Sequence, residues 1–362
     1  MRIDFEPRRA ACRRLLQRQG LGGASFTLPA SVRYLSGYAG GDAGLLVAGK
    51  KTWLVTDSRY QEEARKSAPD CELVLWKGSM AGTAAQIFAG LKTVRAGSKL
   101  GVEADVLPLA AAAAMRRHKV SPVPLGPDFS ALRQAKDAAE IAAARRSIRV
   151  AEAAFRELKP RLRAGMKELE IKAELEWLAM RHGAEGMSFP TIVAVGANSS
   201  LPHAQAGQRA LRPGVPLLID FGVFVDGYAS DLTRTLFLGH APKVWRERYQ
   251  AVLEAQAAGL AAIRAGASGA AVDAAAREVL SQYGLAERFI HSLGHGFGLE
   301  IHEAPRLSRL GGPLPLNSLV TVEPGVYFPG QGGIRIEDDV RVLAGRGEVM
   351  STLARDLDAN VI

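Results

Sequence analysis

The sequence predicts an α+β protein of two domains, an α/β amino-terminal third followed by a longer part built from an internal repeat. Three observations carry this. The 362 residues are too many for one small core and suggest about two domains. Short strand patterns alternate with helical ones as far as about residue 120. Beyond that, two helices followed by a long hairpin pattern occur twice.

In the first third, Arg8 to Gln19 has helical periodicity, Ala24 to Thr27 is a short strand, and Gly44 to Val47 and Thr52 to Thr56 are β-rich. Arg59 to Ser67 begins a polar helix, CELVLW is expected to be a buried strand, Thr83 to Lys92 a helix, Lys99 to Val102 a strand, and the alanine-rich Leu107 to His118 a helix. Such alternation implies a three-layer domain. The turn-rich SPVPLGPDFS follows and sets the expected boundary, with domains at 1-130 and 131-362.

In the remainder, Asp137 to Leu158 and Lys167 to His182 are helices closed by Gly183, followed by a strand at Thr191 to Val195 and the β pattern VPLLIDFGVFVDGYASDLTRTLFL. Val244 to Ala265 and Ser268 to Tyr283, closed by Gly284, lead through HSLGHGFGLEIHE to SLVTVEPGVYFPGQGGIRIEDDVRVL. The repetition implies an internal pseudo-twofold in which the hairpins meet, helices cover one side, and chemistry sits in the cleft between.

Composition excludes several classes. With 48% hydrophobic and 23% charged residues the chain is an ordinary globular one. Cys12 and Cys71 make neither a secreted disulfide framework nor a thiolate zinc site, which fits a reducing cytoplasm. The opening MRIDFEPRRAACRRLL has no apolar signal core, and no stretch approaches the roughly 18 uncharged apolar residues of a membrane span. The first 135 residues hold 20 Lys+Arg against 11 Asp+Glu, which accounts for the whole net charge of +9. Those basic residues are dispersed and lack an aromatic platform, so neither a nucleic-acid nor a membrane partner is expected.

The first hairpin can be read to the residue. Asp226-Gly227 is a two-residue turn, so Val225 pairs with Tyr228 and Asp220 falls opposite Thr233. Asp231 is then the diagonal neighbour of Asp220 on the same face, and the two carboxylates converge on one cation unless one of them faces solvent. The second hairpin repeats the oddity with Glu323 in LVTVEPGVYF and Glu337 in IRIEDDVRV. Four strand carboxylates around one cleft are suited to two divalent cations that activate a water.

His118, His182 and His240 are read as solvated surface. His291, His295 and His302 lie among glycines that leave room for a ligand, one of the three being the metal ligand. An imidazole among oxygen ligands favours Mn, Co, Fe or Zn over Mg or Ca. His203, in SSLPHAQAG, is balanced between surface and site.

The order IDFG, DGYASDLTRT, GHGFGLEIHE, TVEPGVY, RIEDD resembles the pita-bread metallopeptidases, the family of methionine aminopeptidase, aminopeptidase P and prolidase, over essentially the whole chain. The resemblance implies a pita-bread catalytic domain and places the five ligands of a dinuclear centre at Asp220, Asp231, His295, Glu323 and Glu337. Creatinase and the peptidase-like domains of chromatin proteins share the fold without the full set, so retention of all five implies catalysis. YLSGYAGGDAGLLV, LVTDSRYQEEA and LRQAKDAAEIAAARRS are similar to the creatinase-like amino-terminal domain and first catalytic helix of the Xaa-Pro aminopeptidase and prolidase branch.

That branch implies substrate contacts at His203, His291 and His302, and raises His203 to a site residue. It implies two cations, manganese first and Co, Zn or Fe also compatible, bridged by Asp231 and Glu337. Glu323 would carry the proton, and His302 would stabilise the oxyanion. Arg335 and Tyr327 share strand faces with Glu337 and Glu323, where Arg335 either braces ligands or binds substrate and Tyr327 stands behind them. The implied substrate is a peptide with proline second, cleaved by a homodimer. An Xaa-Pro aminopeptidase is the first expectation, a prolidase restricted to Xaa-Pro dipeptides the second, and a non-catalytic peptide- or nucleic-acid-binding relative the third. The sequence runs only to Ile362, so contacts that longer relatives place in a carboxy-terminal extension are not expected.

Overall fold

A computed structural model describes residues 4–362 of the chain. Met1–Ile3, with which the expected first domain begins, lie outside the described residues. The chain separates into two units, Met1–Arg133 and Gln134–Ile362.

The first unit contains helices α1 (Glu6–Arg18), α2 (Pro29–Ser36), α3 (Gln61–Ser67), α4 (Met80–Ala89), α5 (Leu109–Arg117) and α6 (Asp128–Ala131). Its strands are β1 (Gly23–Phe26), β2 (Gly44–Ala48), β3 (Lys51–Thr56), β4 (Glu72–Leu75), β5 (Lys99–Val102) and β6 (Ser121–Pro124). They form one mixed sheet in the order β4-β3-β2-β1-β5-β6. Leu46, Trp53 and Val55 on one face pack with Ala84, Phe88 and Met115 of α4 and α5. Leu45, Val47 and Leu54 alternate with them and are equally buried, so both faces are covered and the layers number three.

Three expectations need correction here. The 72–75 strand was expected to be buried, but it lies at the sheet edge and is only partly covered. The turn-rich stretch after residue 120 opens with a strand, β6, at the other edge, where prolines without an N–H are tolerated. Helix α2 was not expected from PASVRYLS, whose eight residues mix β-branched and aromatic side chains, although Pro29 starts it and Gly37 ends it in a left-handed conformation.

The second unit begins with α7 (Ala138–Leu158), which Asp137 and Glu140 start with a capping box, and α8 (Glu168–Arg181). Strands β7 (Gly186–Met187), β8 (Ile192–Val195), β9 (Pro216–Phe221), β10 (Val223–Val225), β11 (Tyr228–Ala229) and β12 (Leu232–Phe237) follow. The second half repeats the order with α9 (Lys243–Ala262), α10 (Gly269–Gln282) and strands β13 (Gly294–Gly296), β14 (Glu303–Leu307), β15 (Leu319–Val322), β16 (Gly325–Phe328), β17 (Gly332–Arg335), β18 (Asp338–Val342) and β19 (Gly347–Val349). Each half has its own core. Phe155, Leu175 and Leu178 pack against Ile219 and Leu236 in the first, and Val252, Ala255 and Val272 against Val320 and Val340 in the second. No helix among the described residues is long and apolar enough to cross a membrane.

The first hairpin has the expected register, Val225 opposite Tyr228 and Asp220 opposite Thr233. Asp226 and Gly227 both have positive φ, as this turn requires. The hairpin is not continuous, however. Its base, β9 and β12, joins β8, while its tip, β10 and β11, joins β7. The change of sheet occurs at Gly222, where a Cβ would lie 1.8 Å from the Ser230 carbonyl oxygen. The second hairpin breaks in the same way, leaving Glu323, Pro324, Ile336 and Glu337 between its paired segments.

Asp231, Glu323 and Glu337 were expected to be strand residues, but they sit where the ladder opens. Their backbone N–H groups are redirected. Asp231 donates to Asp339 Oδ2 (3.1 Å), Glu323 to Leu293 O (2.8 Å) and Glu337 to Thr233 O (3.2 Å). The last of these bonds, with Arg335 N–H donating to Thr235 Oγ1 (3.1 Å), joins the two hairpins. Only Asp220 lies inside a strand.

Candidate metal centre

The junction of the hairpins gathers the acids. Carboxylate oxygens of Asp220, Asp231 and Glu337, all three buried, lie within 4.8 Å of one another. His295 Nε2 stands 3.6 Å from Asp231 Oδ2 and 3.5 Å from Glu323 Oε1, so the structure brings together all five expected ligand residues. The glycines beside His295 were expected to leave room for a ligand, but they serve close backbone packing instead. A Cβ at Gly294 would lie 2.1 Å from Thr321 O, and one at Gly296 2.5 Å from Ala304 O, so they let neighbouring backbone close on the imidazole.

Electrostatics define what the cluster lacks. Burial, reinforced by Glu337 and Asp220, drives the Asp231 carboxyl well above its usual range. Burial and Glu323 do the same to Glu337. Glu323 is lifted by burial to about 8. His295 is lowered by burial, with help from His302, to about 3. Its Nδ1 faces the Gly296 carbonyl at 3.1 Å, which can only accept, so the proton sits on Nδ1 and the Nε2 lone pair faces two carboxylates. Asp220 Oδ1 and Glu337 Oε1 are buried without any hydrogen-bond partner. Lone pairs and orphaned oxygens turned toward one another repel unless a cation lies between them, so the donor set fits divalent metal.

Neighbouring side chains hold the other carboxylate oxygens. Arg335 donates through one terminal nitrogen to Asp220 Oδ2, through Nε to Thr233 Oγ1 (3.2 Å), and through the other terminal nitrogen to Tyr327 Oη (2.7 Å) and Pro202 O (3.4 Å). Thr233 in turn donates to Glu337 Oε2 (2.6 Å). Because arginine only donates, the Tyr327 hydroxyl proton goes to His291 Nε2 (2.9 Å), and His291 Nδ1–H to Ser292 O (2.8 Å). Burial lowers His291 to about 3, which keeps it neutral.

A cavity of about 700 Å³ opens onto the cluster. It is lined by Asp220, Asp231, His295 and Glu323, by His203, His291 and His302, and by Arg335. Tyr327 is buried behind His291 and Arg335 and is not among the lining residues. The imidazoles of His302 and His295 meet edge to face, 4.4 Å between ring centres. Burial, then Arg306, pushes the His302 pKa down.

Sequence reasoning missed Thr233, Asp339 and Arg306. Thr233 was placed opposite Asp220 by the hairpin register, which was a usable signal. Arg306 pairs directly with His295, so its side chain is on the same face and reaches the cavity, but the register shifts between His295 and Gly296 and nothing in the sequence marks that bulge.

A prediction for the metal-free protein follows from the shifted groups. Carboxyls whose folded pKa is raised add stability below their unfolded value, and that contribution is lost as pH rises through the folded one. For Glu323 this window runs from 4.5 to about 8. His291 and His295, lowered from 6.5 to about 3, act oppositely, since their contribution is lost as pH falls below 6.5. Above pH 6.5 the histidine contribution to the slope fades and the carboxyls increasingly set it. The Tm of chelator-stripped protein should fall from pH 6.5 to about 8, and saturating metal should flatten the slope. A stripped protein whose Tm is level or rises there would contradict the burial of more carboxylates than Arg335 alone can balance.

Comparisons with known proteins agree with this geometry. The model of metallopeptidase family M24 matches residues 142–344, and that of the creatinase/prolidase N-terminal domain matches residues 8–135. The uncharacterized peptidase YqhT of Bacillus subtilis is 34% identical over 348 residues, 95% of this chain and 98% of its own. An Xaa-Pro dipeptidase structure from Bacillus anthracis superposes with a TM-score of 0.93 at 35% identity, covering 98% of this chain and 99% of that one. An X-Pro aminopeptidase structure from Thermotoga maritima gives 0.88 at 33% identity, covering 96% and 98%.

Proposed function

The chain belongs to metallopeptidase family M24, and on that premise we propose that it hydrolyses the bond between an amino-terminal residue and a following proline, with Xaa-Pro dipeptides as the preferred substrates. One observation carries the preference for dipeptides. The Arg306 guanidinium, on the His295 face and lining the cavity, makes no hydrogen bond or ion pair with the described residues. A dipeptide ends in a carboxylate directly after the proline, which such a guanidinium pairs with well. The name of the Bacillus anthracis neighbour points the same way.

The second reading, an Xaa-Pro aminopeptidase acting on longer peptides, is favoured by the rim. His203, His302 and Arg306 are exposed, so a longer chain can leave the cavity past them. The name of the Thermotoga maritima neighbour agrees with it.

Asp220, Asp231, His295, Glu323 and Glu337 would hold two divalent cations, manganese foremost. Such a pair supplies a nucleophile of hydroxide strength near neutral pH and polarises the scissile carbonyl. Glu323, at the cavity wall, takes the proton of the attacking water and delivers it to the proline nitrogen, without which that amide leaves poorly. His302, whose pKa is pushed down by partial desolvation and by Arg306, donates its N–H to the oxygen that gains charge. Both His291 nitrogens are engaged, so it offers the substrate ring surface only, and with His203 it forms a slot for a ring that has no amide hydrogen to give. Free thiols at Cys12 and Cys71 suit a reducing cytoplasm, and the homodimer rests on the family resemblance.

The test compares Ala-Pro with Ala-Pro-Ala. The dipeptide should be cleaved more efficiently, and Arg306→Ala should raise its KM by about 10- to 100-fold, the loss of one charge-assisted bond, with little effect on the tripeptide. Preference for Ala-Pro-Ala with an indifferent Arg306→Ala would establish the aminopeptidase reading instead. Failure to cleave either would remove both.

A further inference from the structure

Glu168 opens α8 with its side chain fully buried, yet it touches neither the carboxylate cluster nor the cavity. Its carboxylate accepts three hydrogen bonds. Oε1 takes the Val195 N–H (2.7 Å) and Asn198 Nδ2 (3.0 Å), and Oε2 takes the Gly207 N–H (2.8 Å). Val195 ends β8 and Gly207 lies beyond the loop that follows, so one carboxylate fastens both ends of that loop. Asn198 Nδ2 also donates to Gln205 O (3.1 Å), and Ser199 Oγ accepts the Gly333 N–H (2.9 Å).

The fastened segment forms a wall of the substrate cavity, contributed by Pro202, His203, Ala204, Gln205 and Ala206. None of these residues is in a helix or strand, so backbone ladders do not order them. Holding such a loop in one conformation costs backbone entropy at every residue. A buried acceptor with three donors ties both ends of the loop, beside the bonds within it from Ala204 N–H to Leu201 O and from Asn198 Nδ2 to Gln205 O. The site demands such order, because small misplacement of a binding group lowers catalysis steeply.

We propose that Glu168 is a positioning residue for substrate recognition, a clamp that closes the 195–207 loop and sets His203 against the proline ring. The proposal rests on the reading of His203 as a substrate contact. It predicts a defect in binding, not in metal retention, although Glu168 lies on a helix remote in sequence from every ligand.

The test uses Glu168→Gln. The substitution keeps the volume but replaces one oxygen with an NH₂, which then faces an N–H donor at one end of the loop. KM for Ala-Pro should rise about tenfold or more, with kcat and bound metal nearly unchanged. Amide exchange should accelerate over residues 201–207. In a His203→Ala background, Glu168→Gln should raise KM no further, an outcome that a purely structural role would not give. If Glu168→Gln does not fold, Asn198→Ala removes one of the three donors and should shift KM and exchange in the same direction by less. Unchanged exchange and KM, or KM effects that add fully to those of His203→Ala, would overturn the clamp. A wild-type protein that cleaves no Xaa-Pro substrate would sink the functional reading, while faster exchange in Glu168→Gln would still establish that the carboxylate holds the loop.

Discussion

An Asp231→Ala protein is expected to lose both cations and to turn over at least roughly 10³-fold more slowly, the scale on which removal of preorganised electrostatics is felt. Its fold should survive. Among the described residues the Asp231 side chain is within ion-pair range of His295 alone, and its backbone N–H, which the substitution keeps, makes the bond to Asp339. Burial beside Glu337 and Asp220 makes this acid costly in the absence of metal. The stripped variant should therefore melt no lower than stripped wild type, whereas the metal-saturated wild type should melt well above both. Near-normal turnover by Asp231→Ala with a full metal complement would exclude a dinuclear centre here.

The histidines are expected to separate by role. His295→Ala should lower metal occupancy, because its Nε2 lone pair faces Asp231 and Glu323. His302→Ala and His203→Ala should keep their metal and lose kcat/KM by roughly 10² or more where an oxyanion contact is removed. Metal analysis of the three variants beside their kinetics decides this. Equal metal loss in all three would mean that the ligand has been assigned to the wrong residue.

Much of the site was legible because it is written in local patterns. The Asp226-Gly227 turn set a register that reached Asp220 and Thr233 without error. The recurrence of two acids in each hairpin marked the cleft. Illegible were features decided by contact between distant segments. The ladder opens at Glu323 and Glu337 because their N–H groups find Leu293 and Thr233, and a strand pattern in sequence cannot show that its partners will be elsewhere. Arg306 reaches the cavity only through a bulge next to His295. Glu168 reads as the ordinary acid of a helix's first turn until the loop that it fastens is seen. In the first unit, the 72–75 and 121–124 strands were misjudged because edge position depends on sheet order, which no single strand records.

Five residues at the junction of two hairpins are placed to hold a pair of cations, and peptidase activity should depend on that pair. Titration of chelator-stripped protein with Mn²⁺, while Ala-Pro hydrolysis is followed, tests that dependence most directly. The stripped protein should show no turnover, and activity should saturate at two equivalents per chain. Hydrolysis that persists after stripping, or that saturates fully at one equivalent, would contradict that dependence.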